Sequence, residues 1–439
     1  MNLNRRMKIW RSRIGKSLLV RNTLWMFLGQ GLRLVIQGGC FVVIARSLGA
    51  SNYGAFIGAL SLVAIVSPFA TLGFGNLLIK NVVRDRSLFP KYWGNALLMS
   101  VVSGAILLAG IMGVARFALP PTIPMALVFL VAASDLFAAR VTDVACLAFQ
   151  SFEEMGWTAR INITLSVLRL GGAIAAVKIW VHPTALQWGV LYCAASCVCA
   201  VFSIVVVGQR FGKPRLDTRA MMSDLAEGFH FATGLSAQTI YNDLDKTMLA
   251  RLSTLDATGI YAAAYRLIDV AFVPVRSLLW AASPGYFRAG EQGIQASVVY
   301  MKRLLPRAVA YSLLVFFALV ATAPLVPRIL GPEYARSIEA LRWLALIPLM
   351  RTIHTFYGDA LAVAGHQKVR MHVQVLIAVV NGIINLIVIP LYSWRGAVWS
   401  SLASDFLLLV AMVSAVTFLC RENDTKSVVP QYALDTSVK

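Results

Sequence analysis

From residue 23 to residue 420 the chain alternates apolar stretches of about twenty residues with short turns or basic clusters, which leaves almost no room for a soluble domain. About 20 mostly apolar residues in a helix cross roughly 30 Å of hydrocarbon, and helices satisfy their own backbone hydrogen bonds there. The pattern predicts spans over 23–46, 55–79, 93–116, 123–149, 158–180, 185–208, 228–251, 257–283, 304–325, 337–364, 371–391 and 396–420. The expected fold is therefore all-α and polytopic, with about 12 transmembrane helices. Composition agrees, since charged residues make up 14% of the chain where soluble domains hold about 25%, and the mean hydropathy is +0.71.

The formal charge of +20 comes from 40 Lys and Arg against 20 Asp and Glu. Its distribution argues against a nucleic-acid partner, because the basic residues fall in alternate loops: Arg5 to Arg21 before the first span, Lys80 to Lys91 after the second, Arg210 to Arg219 after the sixth. By the positive-inside rule both termini are cytoplasmic. Residues 1–22 form a basic amphipathic segment in which Ile9, Trp10, Ile14, Leu18 and Leu19 lie among the bases, suited to the anionic cytoplasmic leaflet. The apolar stretch that follows carries Gln30, Arg33 and Gln37 with no small-residue cleavage site behind it, so it reads as an uncleaved first helix. All six cysteines fall within or at the end of apolar spans and read as small hydrophobic residues. There is no P-loop, no HExxH and no dinucleotide fingerprint, so neither an ATPase nor a metal enzyme is expected.

The sequence also repeats itself. Ile44 to Phe69 and Leu249 to Pro274 align without gaps at an offset of 205, matching Ala45 with Ala250, Arg46 with Arg251, Gly54 with Gly259, Ala59 with Ala264 and Leu62 with Leu267. Each segment joins two spans of a hairpin. The offset divides the chain into an N-terminal six-helix lobe (23–208), a cytoplasmic linker (209–227) and a C-terminal six-helix lobe (228–420), followed by a tail (421–439). Two parallel lobes around a central cavity are an architecture of alternating-access transporters. Gly54 and Gly58 read as small residues that permit close helix packing.

Charged side chains within spans are expensive in hydrocarbon, so they face a partner or a wet cavity. The cations Arg33, Arg140, Arg169, Lys246, Arg266, Arg276 and Arg351 are candidates for binding an anionic substrate, and guanidinium groups suit a diphosphate because their planar fork binds its oxygens in pairs. Local pairing of Asp135 with Arg140, or of Arg266 with Asp269, would remove some of them from that role. Asn381 and Asn385 share one helix face. With Asp243 or Asp245 and a hydroxyl such as Ser401 they make either an oxygen cage for a coupling cation, Na⁺ or H⁺, or a set of interhelical hydrogen bonds.

RSLGASNYGAF after the first span, SPFATLGFGNLLIK closing the second, ATGIYAAAYRL opening the eighth and the stretch Leu361 to Asp405 resemble the polysaccharide-biosynthesis flippases, often called Wzx-type. These belong to the superfamily of multidrug, oligosaccharidyl-lipid and polysaccharide exporters. The resemblance covers essentially the whole chain and implies a MATE-like fold without cofactors. It also implies translocation of undecaprenyl-diphosphate-linked oligosaccharide units across the bacterial inner membrane, for O-antigen, capsule or exopolysaccharide synthesis. Membrane lipids, a polysaccharide polymerase and a chain-length regulator are the partners it implies. In related peptidoglycan-precursor flippases, arginines of the first and eighth helices hold the diphosphate, and Arg33 and Arg266 occupy comparable places. A sodium site in those relatives resembles Asp243 or Asp245 with Asn381 and Asn385, although Asn385 stands where an acid is expected. Twelve spans rather than fourteen set this chain apart from that branch.

Two other classes compete. A multidrug exporter of the same superfamily would carry cationic drugs in an acidic or aromatic cavity. A membrane-embedded polymerase or glycosyltransferase would carry large outer loops or an acidic pair near the membrane surface.

Overall fold

The computed structural model describes residues 29–229 and 243–422 in full and the backbone of 3–28, 230–242 and 423–428. Expectations that concern the side chains of the basic segment 1–22, the end of the tail and the sidedness of the termini fall outside the described residues. Among the described residues, nine helical stretches are long and apolar enough to cross a membrane. The protein is a multi-pass, all-helical membrane protein.

The chain forms two compact units, residues 1–251 and 252–439. In the first, α1 (Leu3–Val66) is followed by α2 (Phe74–Val82), α3 (Phe89–Ala118), α4 (Met125–Ala133), α5 (Ala139–Ser151), α6 (Met155–Ile179) and α7 (Ala185–Phe211), and α8 (Thr218–Leu252) closes it. The second unit holds α9 (Leu255–Gly290), α10 (Ile294–Thr322), α11 (Leu325–Leu330), α12 (Ser337–Leu344), α13 (Ile347–Val363), α14 (Gln367–Tyr392) and α15 (Trp394–Val428). The sequence places a linker over 209–227, whereas α8 already starts at Thr218, where the Asp217 side chain accepts from the Ala220 amide at 3.0 Å. The units part at Arg251 rather than in that linker, because the linker is docked onto α3. The Arg215 amide donates to the Pro90 carbonyl at 2.8 Å, and the fully buried Asn95 exchanges two 3.0 Å hydrogen bonds with the backbone of Asp217. Gly94 is needed there, since a Cβ would strike the Arg215 backbone.

The basic segment before the first span is continuous with it, since α1 begins at Leu3. The first predicted hairpin turns at Gly49, whose φ of 71° and ψ of 170° interrupt α1. Its counterpart at the offset of 205 is Thr254, in the break between α8 and α9, where the Thr254 hydroxyl accepts from the Ala257 amide at 3.2 Å. Ala45, Ala59, Ala250 and Ala264 are all fully buried. The repeat thus marks turns and small contact residues at equivalent places. Within the first unit a Cβ on Gly58 would lie 2.9 Å from that of Ala250, which bears out the reading of Gly58 as a packing residue.

Three spans are less regular than their hydropathy predicts. The second is broken at Ser67–Gly73: Pro68 opens a 3₁₀ turn, and Leu72 (φ 42°) and Gly73 (φ 72°) adopt left-handed backbone before α2 resumes. The fourth contains a π-helical turn, Ser134–Ala138, between α4 and α5. The tenth is divided into α12 and α13 ahead of Pro348. Regular spans present apolar side chains outward, Ile106, Phe117 and Val198 among them, as lipid contact requires. At one end of the first unit Phe89, Phe149, Phe152 and Phe211 pack ring on ring, with Phe152 and Phe211 stacked 4.0 Å apart.

Candidate functional site

A cavity of about 400 Å³ opens in the first unit between α1, the broken second span, α5 and α6. Gly29 sets its edge: a Cβ there would come within 2.8 Å of the Ala159 Cβ, so α1 lies tight against α6 and Arg33, one turn on, lines the cavity. The irregular turn contributes Pro68 and Thr71, and α2 contributes Gly75 and Asn76. Non-helical backbone at membrane depth is tolerated where it lines such a space. From α5 come Arg140 and Asp143, which pair at 3.1 Å.

Two guanidinium groups against one carboxylate leave the lining net positive. Around them stand four carboxamides, Gln30, Asn76, Gln150 and Asn162, each of which both donates and accepts hydrogen bonds. Asn162 is held from below, its amide donating to the Thr158 carbonyl at 2.9 Å. The sequence points to Arg33 and Arg140 and says little of these neutral partners. Their signal is the four-residue step from Thr158 to Asn162 and the Pro68 and Gly73 that break the second span.

The remaining candidates lie elsewhere. Arg169 belongs to a buried network: its Nη2 is 3.8 Å from Asp135, donates to the Ser196 hydroxyl at 3.1 Å, and its guanidinium lies 4.0 Å over the Tyr192 ring. The Tyr192 hydroxyl donates to Asp135 at 3.0 Å. The expected Asp135–Arg140 pair is therefore corrected: the π turn brings Arg140 Nε within 3.3 Å of the Asp135 backbone carbonyl, while the carboxylates of Asp135 and Asp143 serve Arg169 and Arg140 respectively. Lys246 pairs with Asp243 at 2.8 Å, and buried Asp245 accepts from the Lys246 amide at 2.7 Å.

In the second unit Arg351 is 7% exposed, and its Nη1 lies 3.3 Å from Asp269 while its Nη2 donates to the Tyr265 hydroxyl at 2.5 Å. The expected Arg266–Asp269 pair does not form. Asp269 turns to the arginine of a neighbouring helix, and Arg266, half-buried, makes no ion pair among the described residues. Arg276 is exposed beside the Phe272 ring. The Asn385 amide donates to Asn381 Oδ1 at 2.9 Å, the Asn381 amide donates to Ser404 Oγ at 2.9 Å, and the Ser400 hydroxyl donates to Asn385 Oδ1. Ser401 shares a hydrogen with the Tyr261 hydroxyl at 2.8 Å. These geometries favour interhelical hydrogen bonding over an open oxygen cage.

The sequence matches the profile of the polysaccharide biosynthesis protein family over residues 19–284. No curated protein matches the chain by sequence. Among solved structures, the fold is similar to an inward-facing multidrug resistance MATE family transporter of the MOP superfamily, with a TM-score of 0.69 and 13% identity over 88% of this chain and 96% of that one. It is similar to the lipid II flippase MurJ in an inward closed conformation, with a TM-score of 0.71 and 11% identity over 91% and 87%. A MOP superfamily transporter from Pyrococcus furiosus, described as having reversed polarity in its binding pocket, superposes with a TM-score of 0.57 and 14% identity over 92% and 96%.

Proposed function

Since the chain belongs to the polysaccharide biosynthesis protein family, we propose that it is a flippase for undecaprenyl-diphosphate-linked oligosaccharide units. It moves them from the cytoplasmic to the outer leaflet of a bacterial inner membrane, by alternating access of two six-helix lobes with twelve spans and cytoplasmic termini. A polysaccharide polymerase and a chain-length regulator act on the product. One observation carries the reading: Arg33 and Arg140 line the same cavity as four carboxamides. Guanidinium groups bind diphosphate oxygens, and carboxamides exchange hydrogen bonds with sugar hydroxyls. The lipid tail stays in the bilayer, which suits a lobe whose outer face is apolar. Arg266 is the second-unit candidate for the diphosphate. Transport against a gradient draws on Na⁺ or H⁺, which shifts the population of states only if it binds one better.

The likeness to a MATE transporter favours a second reading, export of drugs, but a net positive cavity disfavours cationic ones. The experiment is flipping in proteoliposomes of a fluorescent polyprenyl-diphosphate oligosaccharide. Wild type should translocate it, Arg33→Ala should not, and Arg33→Lys should do so only in part because the paired donors are lost. Full activity of Arg33→Ala rejects the assignment.

A further inference from the structure

One buried group in the second unit has no part in holding cargo. Asp405 on α15 is 1% exposed, and its Oδ2 has no hydrogen-bond partner among the described residues. Its Oδ1 lies 3.0 Å from His354 Nε2 on α13 and 3.9 Å from Arg351 Nε on the same helix. Arg351 thus stands between two acids, tighter on Asp269 of α9 at 3.3 Å than on Asp405. Tyr265, also of α9, holds its third nitrogen. Helices α10, α12 and α14 pack on α15 too, but among the described residues none brings a cation within ion-pair distance of Asp405. Arg266, one turn before Asp269, makes no ion pair among the described residues.

With His354 neutral, Asp269 and Asp405 outweigh Arg351 by one negative charge. The uncovered part of that charge sits on an oxygen shielded from water, where an unpaired charge is costly and an unpaired hydroxyl much less so. We propose that Asp405 with His354 is a proton-binding site, and that Arg351 transmits its occupancy to Asp269. One proton adds to Asp405 Oδ2, nothing else is gained or lost, and the set becomes neutral. Arg351, already loose on Asp405, is then released wholly to Asp269. Because Asp405, Arg351 and Asp269 lie on three helices, α15, α13 and α9, the added proton favours one arrangement of those helices over another, as a coupling ion must. Asp269, 39% exposed at its side chain, is the accessible end of this relay. The site deepens the reading of the protein as a coupled flippase and rests on it only for its use.

The test begins without cargo. Infrared difference spectra of the full chain in proteoliposomes, recorded over a pH series, should contain the carbonyl stretch of a buried carboxylic acid. Asp405→Asn should lose that band, and His354→Gln should keep it but displace the pH at which it appears. A wild-type spectrum without the band, a band surviving in Asp405→Asn, or an unmoved midpoint in His354→Gln overturns the proposal. His354→Gln carries the decision if Asp405→Asn does not fold. In flipping assays under an imposed pH gradient, Asp405→Asn should retain downhill translocation and lose the gradient response that wild type shows, and a full response in the variant also overturns it. If the band behaves as stated while wild type flips no polyprenyl-diphosphate oligosaccharide, the assigned cargo fails and the proton site stands.

Discussion

Arg351 Nη1 reaches Asp269 at 3.3 Å from a different helix, although Arg266 stands three residues before that acid on its own. Helical spacing alone favours the local pair. The tertiary pair wins because Arg351 is buried and must find a carboxylate, whereas Arg266 is half-buried and has the surface as an alternative.

This relationship separates two arginines that look alike in sequence. Arg351→Ala strands two acids, one of them fully buried, and should lower stability by about 3–5 kcal/mol. Arg266→Ala should leave the thermal midpoint in detergent within a degree or so of wild type, by the small effect of surface changes, while reducing flipping. Equal destabilisation by both substitutions would contradict the pairing.

In the cavity of the first unit, Arg140→Ala leaves Asp143 facing the bound diphosphate without its partner. Flipping should fall further in Arg140→Ala than in the double variant with Asp143→Asn, where the repulsive charge is gone as well. Translocation rates of the two single and one double variant measure the coupling directly. A double variant no better than Arg140→Ala would mean that Asp143 does not meet the substrate.

Tyr192→Phe removes the hydroxyl that donates to Asp135 and keeps the ring beneath Arg169. Loss of one hydrogen bond to a buried charged group should destabilise by about 1–3 kcal/mol. Tyr192→Ala should cost more, because the cation–π contact goes too. Unfolding in detergent distinguishes the two.

The linker docked on α3 should respond to acid. The amide of Ala220 first, and then Lys91 at 3.1 Å, hold the carboxyl of Asp217 below the usual aspartate range. A depressed folded value means that the stabilisation is fully present above the ordinary aspartate pKa and is lost as pH falls through the lower folded value. Cleavage of the linker at Phe211 or Leu216 by pepsin, which works in acid, should therefore increase only in that acidic window, and in Asp217→Asn tryptic cleavage after Arg215 should be faster at neutral pH. A flat pH profile in wild type would remove Asp217 from this role.

Hydropathy made most of the helices legible, because lipid tolerates little besides an apolar helix. α3, α6, α7 and α14 begin and end within four residues of their predicted spans. It hid the breaks. The sequence from Ser67 to Gly73 is apolar enough to read as helix, and only Pro68 and Gly73 hint that its backbone turns aside to line a cavity. Arg33 was legible as a mid-span cation, and Arg140 as one of several. That they line one cavity was not, since it depends on Gly29 packing on Ala159 and on the π turn that leaves Arg140 beside Asp143. Asp405 falls inside the last predicted span, but that His354 faces it from α13 depends on how α13 and α15 pack.

The turns at Gly49 and Thr254 occupy matched positions in the repeat but are made by different means. At φ 71° and ψ 170°, Gly49 sits where side-chain-bearing residues are nearly excluded. Thr254, at φ −116° and ψ 154°, is in extended backbone open to any residue, and its hydroxyl contributes a cap worth about 1 kcal/mol. The two hairpins thus differ in their freedom to vary: the first can accept almost no replacement at its turn, while the second can accept serine or aspartate with little penalty.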